Sequence, residues 1–263
     1  MTQALKQLWT LTYLNYLETI RNKILLLALF FMFFMVCFSV LLSDMSVFEL
    51  SRIIIDMGLF TASAFGGVVT VLMCCASLSN DLQQRTAYLL LTKPIHRSYY
   101  LVGKYIGLVM ALFTLTSIIV LSTALMVYLS YGAQFPEALW LSIGTIGLEI
   151  MIVAALSLFF ATITPSLLLA TSYSIAVFIA GHTSSEWIKL LESKKKLDPL
   201  LLQSAKVLNM VLPDLQVMSL RTEAANFLPI PAGLIEHAAA YGITYSALIL
   251  YLTILIFNKR KML

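Results

Sequence analysis

Six stretches of this chain stay apolar for long enough to cross a bilayer as helices. They cover residues 24–42, 53–78, 102–130, 139–163, 166–182 and 239–257, and apolar runs of about 18–25 residues match a hydrocarbon layer of ~30 Å. The runs are continuous rather than alternating, which predicts spanning helices and not the strands of a barrel. Ahead of the first run, Leu5, Leu8, Trp9, Tyr13, Tyr16, Leu17 and Ile20 recur at three- and four-residue steps, with Lys6, Glu18 and Arg21 elsewhere on the wheel. That spacing predicts an amphipathic helix over 1–23, lying in the interface where Trp and Tyr favour the headgroup level. The expected fold is all-α and integral to a membrane: an elbow helix followed by one six-helix domain over 24–263.

The polar stretches between the runs predict further elements. Asn80, followed three residues later by Gln83, has the form of a capping box, which predicts a short helix ending near Thr92 ahead of Pro94. In that helix Asp81 and Arg85 form an i,i+4 pair on one face, and Leu82, Leu89 and Leu90 form an apolar side. Arg97 and Lys104 stand at the start of the third run, where Gly103 and Gly107 make a G-x-x-x-G step that admits a neighbouring helix. Thr164-Pro165-Ser166 is a tight turn, so runs four and five are expected as an antiparallel pair. The long segment 183–237 is expected to fold into helices of its own. Ser185 caps one that carries Trp187, Ile188, Leu190 and Leu191, and Asp198-Pro199 starts a second that runs to about Leu212.

Composition agrees with the pattern, since 60% of the residues are hydrophobic and only 11% charged, too few polar groups for the surface of a soluble domain. The placement of the 17 Lys and Arg residues sets the expected orientation. With the N-terminus cytoplasmic, the inner segments hold Lys6, Arg21, Lys23, Arg85, Lys93, Arg97, Lys104, Lys259, Arg260 and Lys261, while the two short outer loops hold only Arg52. The other six cations share the fifth loop with six acids, which leaves it neutral. Both termini are therefore expected in the cytoplasm. The first run is expected to be retained rather than cleaved as a signal, because 23 residues precede it and no small-x-small site follows.

Few groups in the spans can carry chemistry. Asp56 falls near the outer end of the second span and Glu149 near the middle of the fourth. A carboxylate there costs on the order of 3 kcal/mol to insert, which makes Glu149 a functional candidate; the plain alternative is a protonated group or a hydrogen bond to a neighbouring helix. Spans two and five carry small, weakly polar residues: Thr61, Ser63 and Thr70 on the second, Thr171, Ser172, Tyr173 and Ser174 on the fifth. His96, His182 and His237 are expected in different loops, and Cys37, Cys74 and Cys75 as small packing residues within spans. There is no H-E-x-x-H, no G-x-S-x-G and no G-x-x-x-x-G-K-[ST], so no catalytic residue, metal ligand or cofactor is expected in this chain. Any power for transport has to come from another subunit.

The segment "DLQQRTAYLLLTKPIHRSYYLVGKYIG", residues 81–107, closely resembles the cytoplasmic signature of type-2 ABC transporter permeases. The segment resembles especially the branch of multi-copper-enzyme maturation permeases, which includes the nitrous-oxide reductase maturation permease. That pattern places an acid, a Thr, a hydrophobic pair, a Pro, an Arg, then Gly-Lys and Gly; here these are Asp81, Thr86, Leu90 with Leu91, Pro94, Arg97, Gly103 with Lys104, and Gly107. The chain departs from the commoner form at Arg85, where Gly is usual, and at Tyr88, where Glu is usual. An elbow helix, six spans and a helical loop containing "LPDLQVMSLR", residues 212–221, are also similar to the family.

The resemblance implies a mechanical role in a bacterial cytoplasmic membrane. The segment 79–100 would dock in the cleft of a separate ATP-binding subunit, which holds ATP and Mg. Leu82, Leu89 and Leu90 would pack there, and Asp81, Arg85 and Lys93 would set the register. Two permease copies, identical or similar, would move together, with spans two and five at their interface; Thr61, Ser63, Thr70, Thr171 and Tyr173, with Glu149, would then form a candidate substrate path, suited to a lipid-like or amphipathic cargo. The other partners implied are membrane lipid and a periplasmic accessory protein at 183–237, and no nucleic acid. Two other classes of function stay open from the residues alone: a secondary carrier or channel using Glu149, and a membrane scaffold acting through the outer loop.

Overall fold

The structure is a computed structural model that describes residues 2–44, 50–83, 97–131, 136–164, 166–193, 212–231 and 233–259. Its regular elements there are all helical. In chain order they are α1 (Thr2–Ile20), α2 (Lys23–Asp44), α3 (Leu50–Phe60), a π-helical turn (Thr61–Phe65), α4 (Gly66–Gln83), α5 (Arg97–Tyr131), α6 (Glu137–Ile163), α7 (Leu167–Ser193), a 3-10 turn (Gln216–Met218), α8 (Arg221–Ala225) and α9 (Leu234–Lys259).

Among the described residues, five stretches are long and apolar enough to cross a membrane: Lys23–Leu42, Ser51–Leu82, Ser98–Leu129, Glu137–Ile163 and Leu234–Lys259. The chain is thus a multi-pass helical membrane protein by the length and composition of its helices. The expected run at 166–182 is helical, but its apolar stretch, Leu167–Thr183, is shorter than the other five. Leu27, Phe30, Phe34 and Leu41 of α2 and Leu248, Tyr251 and Leu255 of α9 are exposed, as residues facing lipid tails are.

Helix α6 is the centre of the bundle. It is apolar on every side, the pattern of a helix surrounded by protein, and it packs against α9, α4, α5 and α7. Ile152, Ala154, Ala155 and Leu158 along it are buried. Its hairpin with α7 closes as expected around Thr164, whose amide and hydroxyl both donate to the Phe160 carbonyl at 2.9 and 2.6 Å.

The elbow is built from two devices. Asn22 accepts the Ile24 amide at 2.9 Å through its side chain and so starts α2. Helix α1 then lies along α5, with Leu11, Thr12, Asn15 and Thr19 buried and Trp9 and Tyr13 exposed. The face against protein is therefore not the aromatic stripe that periodicity predicts. The stripe sits beside it, free for the bilayer interface.

Two expected helix starts are corrected. Asn80 lies inside α4, which continues to Gln83, so no helix begins there. A capping residue needs non-helical backbone, whereas buried Leu78 and half-buried Leu82 keep this turn packed on the core. Ser185 likewise lies inside α7, which runs unbroken to Ser193. The expected helix from Asp198 to Leu212 lies almost wholly outside the described residues.

Candidate functional site

The antiparallel hairpin fixes which residues of α6 and α7 share a level. Glu149 lies 14 residues before the end of α6 at Ile163, and His182 lies 15 residues after the start of α7 at Leu167. At ~1.5 Å per residue both stand about 22 Å from the turn. Their side chains meet, with His182 Nε2 at 2.9 Å from Glu149 Oε1. A third group arrives from the helix 50–83. Ser63 Oγ donates to the same carboxyl, at 2.9 Å from Oε2 and 3.1 Å from Oε1. Ser63 is the middle residue of the π turn, a one-turn widening that tends to mark functional positions.

Glu149 is only 3% exposed, so its two hydrogen-bond partners are what make its burial tolerable. His182 is in turn held by Phe178, whose ring meets the imidazole edge-on at 4.8 Å between centroids. Phe178 has room because Gly67 has no side chain: a Cβ there would overlap the ring. The chain of positioning thus runs from Gly67 through Phe178 and His182 to Glu149.

These groups line a cavity of about 340 Å³ whose walls are otherwise largely apolar, including Leu59, Phe60, Ile146 and Ile179. Its other charged lining residue is Arg221 of α8. Asp56 of α3 holds that guanidinium in a two-pronged ion pair, with Nη2 to Oδ2 at 2.7 Å and Nε to Oδ1, and the guanidinium lies 4.8 Å over the Phe60 ring. The segment before α8 is anchored too. The Leu215 amide donates to the Gly181 carbonyl at 3.2 Å, and Leu215, Met218 and Leu220 are buried.

A second polar cluster ties α4 to α5. Lys104 donates to the Asp81 carboxylate and, at 3.0 Å, to the Ser77 carbonyl, and Tyr100 donates to the same carboxylate. Lys104 is 1% exposed, an inward position for a residue expected merely to mark the inner side of the membrane. One turn on, α1 crosses α5 at the two glycines. A Cβ on Gly107 would meet the Thr12 carbonyl oxygen at 2.7 Å and the Asn15 Cβ at 2.8 Å, and one on Gly103 would meet the Leu11 Cβ at 3.0 Å.

The structure therefore brings together Ser63 and Glu149 of the expected path and separates the rest. Thr61 and Thr70 are buried and donate to carbonyls of their own helix, at Met57 and Gly66. Thr171 does the same at Leu167, while Tyr173 is exposed on α7 beside Phe160. Of the expected coupling residues, Asp81 and Leu82 belong to α4 and Arg97 is the first residue of α5; Arg85, Thr86, Leu89, Leu90, Lys93 and Pro94 lie outside the described residues. His182 is corrected from a loop to a helix interior. Its partnership with Glu149 was readable from the equal distances of the two residues from the Thr164–Ser166 turn. Among the described residues no group of three or more His, Cys, Asp or Glu is placed to hold a metal ion.

No protein-family model matches the sequence, and no curated protein matches it.

Proposed function

We propose that this chain is the membrane-spanning permease subunit of a type-2 ABC exporter, driven by ATP that a separate subunit binds and hydrolyses. In this reading it crosses a bacterial cytoplasmic membrane six times, α7 serving as the fifth span, with both termini in the cytoplasm. It works as a pair with a second copy or a similar chain.

The observation that carries this reading is the place of the motif 81–107 between two braced helices. The segment that resembles a coupling helix leaves α4 just after Asp81 and joins α5 just before Tyr100 and Lys104, and these three side chains are bonded to one another. A push delivered to residues 84–96 would thus reach both helices together, because an ion pair buried at their junction resists their separation. Helix α1, seated on Gly103 and Gly107, widens the base that has to move.

Affinity purification of the tagged chain from its native membrane tests this. An ATP-binding subunit is expected to co-purify, and Leu89→Asp is expected to release it. Purification without such a subunit, from a membrane in which the chain is active, contradicts the proposal.

A secondary carrier is the competing reading, and the Ser63–Glu149–His182 cluster favours it, since buried carboxylate–histidine pairs suit proton-coupled movement. Flux in ATP-free vesicles driven by a proton gradient alone would support that reading.

A further inference from the structure

The described lining of the cavity holds one carboxyl, that of Glu149. With Glu149 ionised and His182 neutral, the pair carries one negative charge in a site walled by Leu59, Ile146, Phe178 and Ile179. One proton added to the pair cancels that charge, whichever of the two groups holds it. So does any other single cation that fits. Arg221 does not supply the missing charge, because its guanidinium is already committed to Asp56.

Four titratable groups on the described parts of helices packed against α6 have contacts of their own. The Tyr105 hydroxyl donates to the Met151 carbonyl, and the Tyr241 hydroxyl accepts the Asp214 amide. Tyr245 lies beside Tyr241, and Cys75 contacts Ser157 and Ser174. His182 and Arg221 are the basic side chains in the described lining, so a cation other than a proton that balances the ionised carboxylate enters the site from outside.

A metal ion is a poor candidate, because the described residues offer no group of three His, Cys, Asp or Glu ligands. An ammonium group suits the site better. It needs acceptors rather than a fixed coordination shell. The carboxylate offers about four lone-pair positions, of which Ser63 and His182 use only part. A volume of about 340 Å³ with mostly apolar walls leaves space for an organic body behind the charged head.

We propose that this cavity binds an amphipathic organic amine in its protonated form, with the ammonium on Glu149, and that the amine and a proton on the Glu149–His182 pair exclude one another. Binding then exchanges one cation for another: the ammonium arrives and one proton leaves the pair for water. The proposal concerns what the cavity holds and does not rest on the ATP-driven reading.

The test uses the purified full chain in phosphatidylcholine nanodiscs, without nucleotide. The probe is 4-phenylbutylamine, with 4-phenylbutanol and 4-phenylbutyrate as its neutral and anionic counterparts, and titration calorimetry in weakly buffered solution reads both affinity and proton release. The amine alone is expected to bind saturably. Its affinity is expected to fall as pH falls across the range in which up to one proton is released per amine, and Glu149→Gln is expected to lower it at least tenfold. Equal binding of amine and alcohol, affinity independent of pH, or displacement of the amine by micromolar zinc would each overturn the proposal. These readouts on the unmutated chain keep the test valid if Glu149→Gln does not fold. Adding phosphatidylethanolamine distinguishes the source of the amine: weaker probe binding points to a lipid headgroup, and unchanged binding to a free amine.

Discussion

Glu149 and His182 stand 33 residues apart in the chain and 2.9 Å apart in the fold, brought to one level by the hairpin of α6 and α7. The imidazole is one of the two groups that make the buried carboxylate tolerable, and this orders the effects of substitution. His182→Ala leaves Glu149 Oε1 with only the longer, 3.1 Å bond from Ser63, a loss of about 1–3 kcal/mol. Glu149→Gln keeps the shape, and its amide oxygen still accepts from Ser63 or His182. Reversible unfolding in micelles is expected to show His182→Ala as the more destabilised variant; the reverse order would mean that the pair does not stabilise the fold.

The Asp81–Lys104 pair is lopsided in burial, with Lys104 side-chain exposure at 1% and Asp81 at 21%. Asp81→Ala strands a buried ammonium with only Ser77 and Tyr100 beside it, a loss of about 3–5 kcal/mol. Lys104→Met leaves a carboxylate that water can still reach, so it is expected to cost less. The double variant is expected to be more stable than Asp81→Ala alone. Additive losses in a double-mutant cycle would show that the brace is not formed.

Gly107→Ala is expected to lift α1 from α5, because the new methyl would meet a backbone carbonyl rather than a flexible side-chain end. Overpacking of this kind costs about 1–3 kcal/mol. Maleimide labelling of Asn15→Cys checks it: the thiol is expected to be protected with Gly107 present and reactive in Gly107→Ala, with Gly103→Ala intermediate.

Asp56 and Arg221 are each about a third exposed, so their ion pair alone adds only ~0–1 kcal/mol. Its effect is local. Arg221→Ala is expected to leave global unfolding nearly unchanged while speeding protease cleavage within 212–225; equal cleavage rates would mean that buried Leu215 and Met218 hold the segment without it.

Hydropathy made the helices legible, because lipid imposes length and apolarity on each span separately. It said less about which faces meet. The aromatic stripe of α1 was visible as Trp9 and Tyr13, yet the protein contact is made by Thr12 and Asn15, whose small or locally bonded side chains permit close approach to Gly107. Asn80 carried a capping signal that core packing of Leu78 and Leu82 overrides. His182 was placed in a loop because hydropathy ends the fifth run there, although the helix continues past it. Glu149 stood out as a lone mid-span carboxylate; the Thr164–Ser166 turn carried the register that pairs it with His182, but the π turn that brings Ser63 leaves no local pattern in sequence.

The most direct test of the proposed permease role is site-specific photo-cross-linking from residue 89 in the intact native membrane. The expected result is a single adduct with an ATP-binding protein, formed at Leu89 and absent when the photoreactive group is moved to exposed Tyr128 on α5. An unlinked chain that still moves cargo in vesicles without ATP would contradict it.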